Sequence, residues 1–126
     1  MKVVNKKIGS VDGVGIMKGR KAFTDDYSDK DSLIIKVKRS PYPFAKIKDI
    51  NTTKALAVEE IEMVLTHKDF KRIAFTRAGQ GYPEPSPHDK FVLDNYVRYI
   101  GDEVCAVVGK SEEACLKALD LVEVDY

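Results

Sequence analysis

Short strand-like and helix-like patterns alternate along the 126 residues of this chain, which predicts a domain of mixed α and β structure. The clearest observation is the C-terminal stretch 96–126, which contains strand, turn, strand, helix and strand in close succession. A second observation is that apolar residues alternate with lysines over residues 33–38 and again over residues 45–50. These patterns predict a C-terminal supersecondary unit around a buried strand, preceded by two strands with one face in water.

The predicted central strand is residues 104–108, whose sequence VCAVV is apolar at every position. A turn signal, Gly101-Asp102, precedes it, and Gly109 follows it. A continuous apolar run of this kind is typical of a strand that is covered on both faces. We therefore expect residues 104–108 to lie at the centre of the core.

A helix is predicted directly after this strand. Ser111 is a suitable N-cap, and Glu112 and Glu113 place negative charge where a helix N-terminus favours it. Residues 121–126 alternate like a half-buried strand, so we expect the helix to end near Asp120. One apolar stripe at helical spacing is expected to face the core, formed by Ala114, Cys115, Ala118, Leu119 and Val122.

The first half of the chain has weaker patterns. Residues 33–38 predict a strand with lysines on its wet face, and we expect it to pair with the strand at 45–50 as a hairpin across residues 40–44. Thr52 is a fair N-cap for a short helix over residues 54–58. The glycines at positions 13, 15 and 19 predict a turn and one short helical turn rather than a phosphate-binding loop. The expected buried face of the first strand comprises Leu33, Ile35 and Val37.

Composition argues against several classes of function. The chain has 21 basic and 20 acidic residues, so it lacks the excess of basic residues that is typical of a nucleic-acid-binding domain. It begins with no secretory signal and has no apolar run near the roughly 20 residues that span a bilayer. Cys105 and Cys115 fall at predicted buried positions, so we expect reduced thiols and a cytoplasmic protein.

Residues with catalytic or metal-binding potential are sparse. The two histidines, His67 and His88, are far apart in the sequence, and no set of four Cys or His residues has the spacing of a structural zinc site. No Ser, Thr or Cys lies in a nucleophile motif. The sequence therefore predicts no catalytic, cofactor-binding or metal-binding residue in this chain.

A proline-rich loop over residues 77–88 is the strongest functional candidate. It contains three prolines and two glycines, which favours a fixed surface loop over a tight turn or a flexible linker. Loops of this size within compact domains often carry function. Its Pro-x-Pro-x-Pro pattern also allows binding to an aromatic groove.

Segments that carry a family resemblance run through nearly the whole chain. They are residues 12–26, RSPYPFAKI at 39–47, NTTKA at 51–55, VLTHKD at 64–69, VRYIGDEVCAVV at 97–108, and the SEEA helix and VEVDY ending that follow. In this order and spacing they resemble the α/β-hammerhead domain of the molybdenum hydroxylases, which are the xanthine dehydrogenases and aldehyde oxidases. The segment GQGYPEPSP further resembles the bacterial purine-hydroxylase branch. Asn51, Phe44 and Cys105 depart from the family pattern, and none of these departures affects a catalytic group.

The resemblance implies an α+β fold, the α/β-hammerhead, with a mixed β-sheet, a projecting strand pair and two to four short helices. It implies that residues 1–126 are a single domain from the N-terminal part of a molybdenum-binding subunit, without the catalytic domains. Molybdopterin, iron–sulfur clusters and FAD would then lie on other domains or subunits, which are the expected partners, with no nucleic acid and no membrane involved.

The role implied for the domain is that of a scaffold, inactive by itself, that lines part of the substrate funnel. The implied funnel residues are Gly79, Gln80, Gly81, Tyr82, Pro83 and Glu84. The alternative function is a stand-alone interaction module that uses the proline-rich loop or the basic strands to bind a protein or a polyanion.

Overall fold

The structure is a computed structural model that describes residues 4–20, 23–27, 29, 31–77 and 86–126. The chain divides into two compact units, Met1–Ser32 and Leu33–Tyr126. In the first unit, the short helix α1 spans Gly13–Met17 and a 3-10 helix spans Thr24–Tyr27. The turn and single helical turn expected around the glycines are confirmed. Among the described residues, no helix has the length and apolar content that a membrane span requires.

The second unit combines short helices with small antiparallel sheets, so the α+β class is confirmed. One sheet has three strands in the order β1-β6-β4, and two further sheets pair β2 with β5 and β3 with β7. In chain order the elements are β1 (Ile34–Arg39), β2 (Ala45–Lys46), β3 (Asp49–Asn51), α2 (Thr53–Leu56), β4 (Ile61–Leu65), β5 (Tyr96–Val97), β6 (Glu103–Gly109), α3 (Glu112–Leu121) and β7 (Glu123–Asp125).

Strand pairing is antiparallel in each of these sheets, where a mixed sheet was expected. β1 and β4 run in the same direction, but they do not pair because β6 lies between them and runs opposite to both. The described strands therefore form no mixed sheet.

The expected hairpin between the strands at 33–38 and 45–50 is wrong. β1 pairs with β6, and β2 pairs with β5. Ser40 extends the β1–β6 pairing, because its N–H donates to the Asp102 carbonyl at 2.9 Å and its carbonyl accepts from Gly101 N–H at 2.8 Å. The end of β1 is thereby joined to the turn before β6, and the chain leaves the sheet instead of folding back.

The prediction that residues 104–108 form a buried central strand is confirmed. Val104, Cys105 and Val107 are fully buried and belong to one core cluster with Cys115 and Ala118 of α3. Both cysteines are free thiols, and burial raises the pKa of Cys105 to about 11. They act as small apolar side chains in the core.

α3 begins and ends nearly where the sequence predicts. The Ser111 Oγ accepts a hydrogen bond from Ala114 N–H at 3.3 Å, and the helix ends at Leu121, one residue beyond the expected end. Cys115, Ala118 and Val122 of the predicted apolar stripe are buried. For α2, it is the Asn51 side chain and not Thr52 that accepts a bond from the first turn, through Thr53 N–H at 3.1 Å.

The orientation expected for β1 is wrong, because its lysines point toward α3. The Lys36 ammonium pairs with Glu112, and the Lys38 ammonium donates to the Leu119 carbonyl at 2.7 Å. Long lysine stems can lie along a helix while their charged ends reach its polar groups. Ile35, which points the other way, is 60% exposed.

We expect Val107→Asp to unfold the protein, because a buried unpaired carboxylate costs several kcal/mol against a total stability of about 5–15 kcal/mol. Circular dichroism during heating measures this. Ile35→Asp, in the neighbouring strand of the same sheet, is the matched control and should melt cooperatively because the side chain is already exposed. A soluble Val107→Asp protein with a cooperative transition would contradict the placement of this strand.

Candidate functional site at the stem of the proline-rich loop

The predicted funnel residues, Gly79, Gln80, Gly81, Tyr82, Pro83 and Glu84, lie outside the described residues. The structure does describe residues 75–77 before them and residues 86–90 after them. We call these two flanking segments the stem of the loop.

The stem is closed by a backbone pairing between Phe75 and Lys90. Phe75 N–H donates to the Lys90 carbonyl at 2.8 Å, and Lys90 N–H donates to the Phe75 carbonyl at 3.1 Å. This antiparallel bridge brings together the two ends of the intervening chain. The two ends of the loop are therefore held next to each other by backbone hydrogen bonds.

Lys90 also ties the stem to the turn before β6 through a shielded ion pair. Its ammonium lies 2.8 Å from Asp102 Oδ1 and 4.6 Å from the centre of the Tyr99 ring. The two charged side chains are only 16% and 5% exposed, so water screens their attraction weakly. The Asp102 carboxylate accepts two further bonds, from the backbone N–H groups of Arg98 at 2.9 Å and Glu103 at 3.2 Å.

The pKa values of this pair reflect both burial and pairing. Burial acts to raise the pKa of Asp102, but the hydrogen bonds from Lys90 and the Arg98 N–H outweigh it, so this pKa lies below its ordinary value. For Lys90, burial acts to lower the pKa, and the bonds to Asp102 and Tyr99 outweigh it and raise the pKa. Both groups therefore stay charged at neutral pH.

The other side of the stem is tied to the same strand by Arg77. Its guanidinium donates to Glu103 Oε2 at 2.8 Å and to the Tyr99 hydroxyl at 3.3 Å. Glu103 also pairs with Arg39 of β1 at 3.3 Å. Burial acts to raise the pKa of Glu103, but the bonds from Arg77 and Arg39 outweigh it and lower the pKa. Each end of the loop is thus anchored to an acid at the start of β6.

The local sequence explains how these acids reach the stem. Gly101 has a φ of +93°, a conformation that favours glycine, and the turn it forms places Asp102 and Glu103 at the entrance of β6. Sequence reasoning used this Gly-Asp pair only as a turn signal and missed the ion pairs that Arg77 and Lys90 of the stem form with Glu103 and Asp102. The available signal was charge complementarity, since a basic residue flanks each end of the proline-rich loop and two adjacent acids precede the apolar strand.

A second ion-pair cluster surrounds the buried Asp94. Its carboxylate lies 3.1 Å from Arg72 and 2.8 Å from Arg98, and Arg72 stacks over the Phe91 ring at 4.2 Å. A cavity of about 100 Å³ adjoins this cluster, lined by His67, Phe70, Arg72, Leu93, Asp94 and Asn95.

The two histidines lie in different surroundings. His67 lines the cavity and its Nδ1 is buried without a hydrogen-bond partner in the described structure, whereas His88 is exposed in the stem. Within the described ranges, no group of three or more His, Cys, Asp or Glu side chains is arranged to hold a metal ion.

Comparison with known proteins gives a consistent family. The family model described as "Aldehyde oxidase and xanthine dehydrogenase, a/b hammerhead domain" matches residues 18–126. A "Probable hypoxanthine oxidase XdhD" of Escherichia coli strain K12 is 35% identical over 126 residues, which are 100% of this chain and 13% of that protein. A "Xanthine dehydrogenase molybdenum-binding subunit" of Escherichia coli O157:H7 is 29% identical over 120 residues, 92% of this chain and 16% of that protein.

A solved structure agrees with these relatives. CO dehydrogenase from Oligotropha carboxidovorans superposes with a TM-score of 0.76 and 29% identity, covering 97% of this chain and 15% of that chain. The present chain thus spans between 13% and 16% of the length of these three proteins.

We expect Asp102→Asn to destabilise the protein by about 2–3 kcal/mol at neutral pH, because it leaves the shielded Lys90 ammonium without its counter-charge. The pKa of Asp102 is lower in the folded protein than in the unfolded chain. The ionised Asp102 therefore adds to the free energy of unfolding above the unfolded pKa of about 3.9, and this contribution is lost as pH falls through the folded pKa. The difference between the wild-type protein and the variant should therefore shrink in acid. Urea unfolding at pH 7 and pH 3 measures it, with Asp120→Asn on the exposed side of α3 as control. A difference that is the same at both pH values would contradict the ion pair.

Proposed function

This chain belongs to the aldehyde oxidase and xanthine dehydrogenase family of α/β-hammerhead domains, and on this basis we propose that it works within a molybdenum-dependent hydroxylase of purines. The observation that carries the proposal is the family match over residues 18–126, together with a relative named as a hypoxanthine oxidase that aligns with the whole chain. Residues 1–126 act in this enzyme as one structural domain, which supports the molybdenum-binding domains.

The partners are the molybdenum-binding domains and the domains or subunits that carry iron–sulfur clusters and FAD. A relative named as a molybdenum-binding subunit supports the first of these assignments. When bound in those domains, the molybdenum cofactor supplies the redox chemistry, in which water provides the oxygen and two electrons leave the substrate. The buried free thiols Cys105 and Cys115 are compatible with the reducing cytoplasm, where we place the enzyme.

The contribution of this chain to substrate access is the proline-rich loop. We assign Gly79, Gln80, Gly81, Tyr82, Pro83 and Glu84 to the wall of the substrate funnel. The anchored stem supports this assignment, because Arg77 and Lys90 hold both ends of the loop to β6 by ion pairs. Prolines reduce the conformational entropy that a loop loses on ordering, so such a loop can present side chains at little cost. Tyr82 is suited to contact an aromatic substrate, and Glu84 sets the charge near it.

In the assembled enzyme, we expect Tyr82→Ala and Glu84→Ala to change KM or substrate preference while turnover and molybdenum content remain near the wild-type values. A residue that contacts substrate at the entrance contributes to binding and not to the chemical step. Steady-state kinetics with several purines and an aldehyde measure this, with Leu116→Ala on the exposed side of α3 as control. Unchanged kinetics for both loop variants would make the loop a structural connector.

We expect the purified chain by itself to fold and to contain no stoichiometric molybdenum, zinc, iron or flavin. Its sequence lacks the cysteine spacings of iron–sulfur and structural zinc sites. Elemental analysis after chelator treatment, with an absorption spectrum for flavin, measures this. One metal ion per chain after that treatment would contradict the assignment of all cofactors to partner domains.

A further inference from the structure

The three-stranded sheet has one face directed away from α3, which we call the outer face. Strand register defines it, because residues paired directly across neighbouring strands point to the same side of a sheet. Ile35 and Met63 both pair with Val108, and Val37 and Leu65 both pair with Ala106. The outer face therefore consists of Ile35, Val37, Met63, Leu65, Ala106 and Val108.

The outer face is apolar yet is separate from the core of the unit. None of its six residues belongs to the core cluster, which includes Cys105 and Val107 from the opposite face of β6. Ile35 is 60% exposed and Met63 is 44% exposed, with the buried Val108 between them in the sheet. Among the described helices, α2 and α3 pack on this sheet and on each other, and both contribute to the core cluster.

In a sheet with one face in water, charged side chains normally lie on the water-facing side, but in β1 the lysines lie on the side covered by α3. Lys36 and Lys38 point to the covered face, where they bond to α3, while the six residues of the outer face are apolar and the charged pair of Arg39 and Glu103 lies beside them at the end of the sheet. A strand that had evolved to meet water would expose its lysines and bury Ile35. Exposed apolar side chains on one face of a sheet, here Ile35 and Met63, are typical of an interaction site.

We propose that the outer face is the surface on which the molybdenum-binding part of the enzyme docks. This rests on the proposed function and identifies the face through which the domain meets its partner. The continuous apolar sequence of β6 is typical of a strand covered on both faces, and α3 covers one of them. In the Escherichia coli K12 relative, the matching segment is 13% of one longer protein. A covalently linked domain has a high effective concentration, so it outcompetes a second copy of this chain for the face.

The test uses thiol labelling, which the buried native cysteines make selective. Residues 1–126 replace the matching segment of the Escherichia coli K12 relative, and Ile35→Cys and Met63→Cys are each made in this graft and in the isolated chain. The matched control is Leu116→Cys on α3, because Leu116 is 48% exposed and lies outside the outer face. Maleimide labelling rates at each introduced thiol are measured by mass spectrometry, together with the molybdenum content of the graft and thermal melting of the isolated variants.

We expect the Ile35→Cys and Met63→Cys thiols to react at least about tenfold more slowly in the molybdenum-containing graft than in the isolated chain, as expected for surface removed from water. The Leu116→Cys thiol should react equally in both. A graft that contains molybdenum but leaves the outer-face thiols fully reactive would overturn the docking assignment and leave the proposed function standing. Protection in the isolated chain that increases with its concentration would identify a second copy as the occupant instead. A graft without molybdenum would overturn the proposed function and this assignment with it.

Discussion

The side chains of β6 that point toward α3 are packed so closely that the strand and the helix have little freedom to separate. A methyl group added at Gly109 would lie 2.9 Å from both the Cys115 sulfur and the Glu60 carbonyl oxygen, closer than real carbon contacts allow. Since the Glu60 contact is a backbone atom, the strand, the helix and the segment before β4 are held in one arrangement. β1 and β4 then pair with the two edges of β6, so the register of the sheet depends on this strand.

The same strand positions the candidate functional site. Asp102 immediately precedes β6 and Glu103 is its first residue, so the packing of the core determines where their carboxylates lie. Lys90 and Arg77 pair with these acids and thereby hold both ends of the proline-rich loop. The Lys90–Asp102 pair is shielded from water, whereas Arg77 is 47% exposed, and neither pair belongs to the core cluster. Core packing and the position of the two ends of the loop are therefore linked through two adjacent acidic residues.

The two faces of the three-stranded sheet differ in what they contact. The inner face is covered by α3 and stabilises the chain itself, with lysines of β1 accommodated along the helix. The outer face contributes little to the core cluster and is exposed at Ile35 and Met63. Such a division suits a domain that has to be stable and also has to associate with a larger protein.

Local features of this protein could be predicted from its sequence because they depend on residues close together in the chain. The apolar run of β6, the Ser111 cap and the apolar stripe of α3 each involve neighbours within about one or two turns or a strand length, and the family motifs lie within such segments. The partner of β1, the direction of its lysines and the anchoring of the loop could not be predicted in this way. Lys36 meets Glu112, which is 76 positions away, and Arg77 meets Glu103, which is 26 positions away. An alternating pattern shows that a strand has two different faces. Which element packs on each face depends on contacts with segments that are distant in the sequence, and these form only in the tertiary structure.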